Sequence, residues 1–498
     1  MAKYKPYDYR QSVLLPVSLE DQLMPGTLEF AIHTLVEKRL DMSVFHGKYQ
    51  NDETGRAAYD PKILLKVVLL AYSRGMISSR KIEQACRENI VFLALACGQQ
   101  PDHSTIAAFV SSMKDEILPL FRDVLLVCEE MNLLGGTMFA LDGCKLPSNA
   151  SKEWSGTVAE LRRKKSKIET KVTQLLDEQI HNDRGQDDTP VTRASGASRK
   201  HLVEKLQKKA ELIDTWLAEN QPKLGAAGRE KRSNITDNDS ATMMTSHGVV
   251  QGYNSQALID AKHQVIVHGE AFGNGQDHGH VPPMVNGALA NLQILGHAPD
   301  YFEGKILTAD SNYHSLVNLK KCQELGFNAY IPDRKFRNRD KRFASQKRSQ
   351  TRKFTLKDFN YQEAPDHYLC PQGKVLRRIS KRTFNRGHIY RRYRAQEQDC
   401  QICPLRSRCL YGDRSKRKDL SVPIDSSLSK QMVDRIETPL GRKIYPLRLA
   451  IVEPVFANIR SNKKLDRFTL RGKDKVNIQW LIYCLVHNIE KIRNYGNA

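Results

Sequence analysis

Two acidic side chains stand where acids can do chemistry. Leu141-Asp142-Gly143 closes the run TMFALDG and Thr308-Ala309-Asp310 closes KILTAD, so each Asp ends an apolar stretch that reads as a β-strand. Strand ends meet along one edge of a sheet, and two carboxylates there could share divalent cations without lying in the fully dry interior. Each could equally cap the turn after it, which is the commoner use of a single Asp in such a place. A third acid would complete a site. Glu453, in LAIVEPVFANIR, leaves the apolar face formed by Ile444, Leu447, Ile451, Val455 and Ile459. Pro454 beside it predicts a helix that bends near Ala450, or one that begins with Pro454 in its first turn.

Four of the ten cysteines cluster at Cys370, Cys400, Cys403 and Cys409, with the spacing C-x29-C-x2-C-x5-C. A Cys-x2-Cys pair lets two thiolates reach one tetrahedral metal from a single turn, and two further thiolates complete a closed structural zinc site. Four thiolates leave no open position, which argues against catalytic zinc. The other six, at 86, 97, 128, 144, 322 and 484, lie mostly among apolar neighbours and read as ordinary core residues.

The elements that must position these groups occupy 498 residues, enough for about two to four compact domains. With 78 Lys plus Arg against 56 Asp plus Glu the chain carries +22, while 40% of its residues are hydrophobic. That combination excludes a wholly disordered chain and points to a polyanionic partner, nucleic acid before an anionic membrane surface. The longest apolar runs, Ile63 to Tyr72 and Val91 to Cys97, fall short of the roughly 20 residues that span a bilayer. MAKYKPYDYRQ lacks the apolar core of a signal peptide, so a cytoplasmic protein with reduced or metal-bound cysteines is expected. Residues 331 to 420 alone hold 26 Lys or Arg against 9 Asp or Glu. Phe336, Phe343, Phe354, Tyr390 and Tyr393 are interleaved with that charge, which suits contact along a DNA backbone better than a merely solvated face.

Residues 20 to 130 read as helical throughout. Asp60 predicts an N-cap, Pro61 a first helical position and Gly75 a stop, and KIEQACREN and STIAAFVSSM predict short helices compatible with a helix-turn-helix. Val158, Leu161, Ile168, Val172 and Leu175, then Leu202, Leu206, Ala210, Ile213 and Leu217, predict an antiparallel helical hairpin closed by a polar loop at 181 to 200. Paired strands follow, with DAKH as their turn, then helix, strand, helix and strand to NAYIP, which makes an α/β core interrupted by the basic stretch. The expected domains are an N-terminal helical, DNA-binding 1–130; a core in two parts, 131–334 and 421–498, with the hairpin inserted at about 151–232; and a basic zinc-ribbon-like insertion at 335–420.

The LDG strand, the TADSNYHS element, the GYNSQ hairpin and the tail VEPVFANIR…RFTLRGKDKVNIQWLIYCLVHNIEKI together resemble the bacterial insertion-sequence transposases of the DDE class. More narrowly, they resemble the IS-eleven-eighty-two group, which carries a cysteine-bearing insertion ahead of its final Glu. The resemblance covers nearly the whole chain. It implies a ribonuclease H-like mixed sheet with helices on both faces, and a catalytic triad of Asp142, Asp310 and Glu453 holding two Mg²⁺ or Mn²⁺ ions. It further implies double-stranded DNA partners, both element ends and target, a homodimer on DNA, and a nucleoid-associated place in a bacterial cytoplasm. Tyr445, Arg448 and Arg460 stand roughly where related enzymes carry a Tyr and an Arg before the Glu and a Lys after it, although the gap from Arg448 to Glu453 is one residue longer and Asn312 replaces a common Gly. Arg448, Arg460, Lys335, Arg337, Arg391 and Arg392 are the candidate DNA contacts. A catalytically silent DNA-binding regulator and a nuclease with the same triad are the competing readings.

Overall fold

The computed structural model describes residues 18–48, 57–183, 190–225, 228–245, 248–340, 353–385, 388–412, 414–424 and 427–496. Phe343 and the basic residues of 341–352 lie outside this set. The chain forms two compact units, 1–133 with 461–464 and 482–498, and 134–460 with 465–481.

The first unit is helical: α1 (Leu28–Lys38), α2 (Pro61–Ser73), α3 (Ser79–Glu88), α4 (Ile90–Leu95), α5 (His103–Ser112) and α6 (Ile117–Glu130). Helix α2 begins as its sequence predicts. The Asp60 carboxylate accepts a hydrogen bond from the Lys62 N–H, Pro61 takes the first position, and Gly75 at φ +70° allows the chain to turn away. Its residues 63–72 are all buried, Lys66 included, whose ammonium reaches Glu37 at 2.9 Å. The expected pair of helices joined by a tight turn is corrected here. Asn89 caps an additional helix, α4, by accepting hydrogen bonds from Val91 and Phe92, so α3 and α5 are not consecutive. The apolar residues of α4 mark packing, and Phe92 and Leu95 are fully buried.

The second unit is built on a six-stranded mixed sheet. Its strands are β1 (Met138–Pro147), β4 (Ala241–Thr245), β5 (Gly248–Asp260), β6 (Ile266–Phe272), β7 (Ile306–Ala309) and β8 (Asn328–Tyr330), and a separate short pair joins β2 (Ser155–Gly156) to β3 (Ser233–Asn234). The long β5 lies antiparallel to β1 along one edge and shares its other edge between β4 and β6. On the far side of β1, strands β7 and β8 run parallel to it. The helices α9 (Val281–Ile294) and α10 (Leu316–Glu324) connect these strands.

Between β2 and β3 the chain rises into α7 (Val158–Asp183) and α8 (Pro190–Glu219). They pack through Leu161, Ile213 and Trp216 at one level and Val172, Leu175 and Val203 at another. Of the polar stretch expected as a loop at 181–200, residues 181–183 and 190–200 are helix instead, and 184–189 lie outside the described residues. Pro190 opens α8 because its fixed φ and missing N–H suit a first helical position.

After the short α11 (Phe336–Arg339), strands β9 (Asn360–Gln362), β10 (His367–Leu369), β11 (Val375–Asn385), β12 (His388–Ala395) and β13 (Asp419–Pro423) form an antiparallel meander, with α12 (Glu397–Gln401) and α13 (Arg406–Cys409) between the last two. This basic stretch buries more than its composition suggests. Phe359, Tyr368, Leu376, Tyr393, Ala395 and Leu420 make a core against which Cys370, Cys400 and Cys409 pack.

The chain returns through α14 (Ser427–Glu437) and α15 (Pro439–Ala457), followed by a π-helical turn and α16 (Lys473–Tyr495). Helix α15 neither begins at Pro454 nor stops before it. A proline there deprives the Ala450 carbonyl of its helical donor, and the Gln264 side-chain amide, from the β5–β6 turn, donates to that oxygen at 3.0 Å.

Candidate active site

The register of β1 against β7 decides where the two aspartates go. Leu141 stands beside Ala309 on parallel neighbours, so Asp142 and Asp310 are the next residues along adjacent segments. Asp310 lies just past the end of β7, whereas Asp142 does not end its strand as expected, because pairing with β5 carries β1 on to Pro147. Both also show the capping behaviour of isolated aspartates: Asp142 accepts a hydrogen bond from the Gly143 N–H, and Asp310 accepts one from Asn312. The structural use does not displace the electrostatic one. Burial pushes Asp142 up to about 6, with Arg448 pulling it back and Asp310 pushing it further. Asp310 is raised as well, by burial first and by the negative charge of Asp277.

The cation facing this pair is Arg448 from α15, whose Nη1 donates to Asp142 Oδ2 at 2.5 Å. Its side chain is 11% exposed and that of Asp142 24% exposed, so the pair is well screened from water. Arg448 was a candidate phosphate contact; here its guanidinium is engaged by a carboxylate. Glu453 lies on the same helix but is exposed to solvent. Among the described residues no three His, Cys, Asp or Glu are gathered closely enough to hold a metal, so the structure brings Asp142 and Asp310 together without adding Glu453 to them. Two partly buried, mutually repelling carboxylates balanced by one guanidinium nevertheless suit a divalent cation, which would relieve the charge that burial makes costly.

Beneath the pair lies a polar network that the sequence reading missed. Tyr313, fully enclosed, donates its hydroxyl to Gln256 Oε1, while the Gln256 amide donates to Asn254 Oδ1 at 2.9 Å and to Asp277 Oδ1 at 3.1 Å. Asn254 donates to the same Asp277 oxygen at 2.7 Å. Burial opposes ionisation of Asp277, but its interactions with His280 and Asn254 prevail and hold it below the usual carboxylate range. Asp277, Asp142 and Asp310 together, after burial, push the Tyr313 phenol up. Asp277 lies in GNGQDHGH, where no periodicity marks it; a lone acid just ahead of two histidines in a glycine-rich turn was the available signal.

Gly143 is required by this network. A Cβ there would lie 2.0 Å from Gln256 Nε2, and Gln256 is fully buried and bonded on both sides. Gly143→Ala is therefore expected to displace the amide, to cost about 1–3 kcal/mol, and to lower any activity of the aspartate pair at least about tenfold. Thermal melts and cleavage assays check this, and an unaffected variant would show that the amide moves freely.

The remaining candidates spread outward. Arg460, exposed in the π-helical turn after α15, pulls on the Cys144 thiol, which burial pushes up to about 12. Lys335, Arg337 and Arg391 are exposed, whereas Arg392 pairs with Asp419 at 2.6 Å. The four clustered cysteines line one small cavity of about 30 Å³ together with Lys374, Asp399 and Lys418. Burial raises the Cys400 and Cys409 thiols, and the other cysteines of the group raise them further. The four sulfurs are not drawn into a metal-holding group. Among the described residues no helix is long and apolar enough to cross a membrane.

Comparison with known proteins adds two matches. Residues 369–493, which carry the cysteine cluster, Arg448 and Glu453, match the family described as Transposase DDE domain. Residues 17–112, the helices α1 to α5, match the Transposase domain (DUF772). No curated protein matches the chain. Two transposase family models thus match separate stretches of one sequence, a combination typical of bacterial insertion-sequence transposases.

Proposed function

We propose that this chain is a transposase that binds the ends of an insertion sequence and catalyses metal-dependent strand cleavage and strand transfer, with Asp142, Asp310 and Glu453 as its acids. The observation that carries the reading is the placement of Asp142 beside Asp310 on parallel neighbours, both with raised pKa. The strand pattern, the parallel β1, β7 and β8 flanked by an antiparallel β5 on which β6 pairs antiparallel in turn, supports a ribonuclease H-like core. Two Mg²⁺ or Mn²⁺ ions held by these acids would activate an attacking water or 3′-hydroxyl and stabilise the departing oxygen. The chain's own part is to hold the carboxylates side by side on β1 and just past β7, to balance Asp142 with Arg448, and to keep Asp277, Gln256 and Tyr313 fixed beneath them. Arg460, Lys335, Arg337 and Arg391 are exposed and would meet DNA phosphates, with Arg448 and Arg392 joining them only by leaving their carboxylates. A dimer would bring two ends together.

The exposure of Glu453, which forms no metal-holding group with the pair among the described residues, favours, as a second reading, a silent DNA-binding descendant. Purified protein mixed with a labelled end fragment and Mg²⁺ separates the two. Cutting and joining that Asp142→Ala, Asp310→Ala and Glu453→Gln abolish, with binding retained, supports the enzyme; binding without cutting by the unaltered chain supports the descendant, and cutting without joining a nuclease.

The same reading gives Cys370, Cys400, Cys403 and Cys409 a structural zinc, supported by the cavity they share. About one zinc per chain is expected on metal analysis, falling in Cys400→Ser together with the melting temperature. A metal-free, fully folded protein would reject it.

A further inference from the structure

The α7–α8 hairpin carries a groove that none of the roles above uses. It holds about 320 Å³ and runs along one face of α8, where His201, Lys205, Lys208 and Lys209 follow one another at helical spacing beside Trp154. The face from His201 to Leu212 extends about 16 Å. The ammonium groups of Lys164 and Lys209 lie over the indole of Trp154 at 5.1 and 5.7 Å, which fixes two cations at the groove's end.

The hairpin has acids enough to neutralise these lysines, but it places most of them elsewhere. Asp214 and Glu169 meet Lys165 at 2.7 and 3.6 Å, Glu153 meets Lys164 at 3.8 Å, and Glu160 meets Arg232 at 3.1 Å. Glu204 lines the groove one turn before Lys208, yet no ion pair forms between them. Lys205 and Lys208 thus face a concave surface without a carboxylate partner among the described residues. Like charges one turn apart destabilise a helix, so an unneutralised row is best explained by an anion from outside.

We infer that this groove seats the phosphate backbone of duplex DNA, as a grip separate from the acid pair. The inference rests on the function proposed above, since DNA is the partner it requires. Phosphates on one strand advance about 3.4 Å each along the duplex axis, so a face of about 16 Å can run beside four or five of them. Such contact carries no sequence information; it would hold the element or its target while other surfaces choose the site.

The test is equilibrium binding of the full chain to a 30-base-pair duplex of arbitrary sequence between 50 and 200 mM salt. Each lost phosphate contact lowers the slope of log affinity against log salt by about 0.9, so the Lys205→Ala/Lys208→Ala double variant is expected to lose about 1.8. Over that fourfold range its affinity would fall about 12-fold less than that of the unaltered chain. Lys165→Ala is the control: already paired, it should leave the slope unchanged. Trp154 fluorescence, assigned with Trp154→Phe, should change on binding. An unaltered slope in the double variant, with DNA still bound, overturns the groove alone, as does an equal loss in Lys165→Ala. Binding to anionic vesicles that the double variant loses, with its DNA slope intact, also overturns it. Failure of the unaltered chain to bind DNA overturns the groove and the proposed function together.

Discussion

Asp142→Asn and Asp310→Asn should each lower end cleavage by at least about 10³-fold, which corresponds to about 4 kcal/mol of lost transition-state stabilisation. An amide keeps the shape of the carboxyl group and the local capping contacts, since its oxygen can still accept from Gly143 or Asn312. What it loses is charge. DNA affinity should stay the same or rise, because a negative group near the phosphates has gone. Quantified gel assays on one labelled end, with binding measured in the same buffer, read both effects. Cleavage near the original rate in either variant would remove that Asp from the chemistry.

The second large effect is on stability. Arg448→Met leaves Asp142 buried without its cation, and breaking such a pair should cost about 2–3 kcal/mol at pH 8 in a metal chelator, somewhat less than for a wholly dry pair. Its sign with pH follows from the proton balance. Asp142 is raised to about 6 in the folded chain, so the native state holds a proton the unfolded chain has already released, and stability falls as pH rises from about 4 through 6. Removing Arg448 raises Asp142 further and steepens that fall. At pH 5 the acid is neutral and most of the deficit should vanish. Denaturant unfolding at pH 5 and pH 8 gives the comparison; a deficit independent of pH would mean that Arg448 acts through packing alone.

Much of this was legible from side-chain pattern. Apolar runs closed by a single Asp give β7 and the first half of β1, which then runs on past Asp142 to Pro147, and Asp60-Pro61 gives the start of α2, because each depends on neighbours in the chain. Asp142 and Asp310 could therefore be singled out in advance. Their adjacency is a fact of register, which depends on residues far apart. The network below them was hidden for a related reason: Asn254, Gln256 and Tyr313 are polar groups inside buried elements, and their value lies in partners supplied by other strands and turns. Pro454 misled in the same way. The helix survives it because Gln264 reaches across from another element, a contact no local rule contains. Conversely, residues 190–200 looked like part of a loop because their composition lacks an apolar face, yet a proline start and packing lower down the hairpin suffice to make them helical.

The bridge from Asp142 to Arg448 joins residues 306 positions apart, and that separation has a temporal meaning during synthesis. At about 5–20 residues per second, roughly 15 to 60 seconds pass between the emergence of the acid and that of its guanidinium. During that interval a nascent chain can fold strands 1 and 7 side by side while carrying both acids uncompensated. Any fragment ending before the fifteenth helix would stay in that condition permanently, with only a proton or an ambient cation to quiet it.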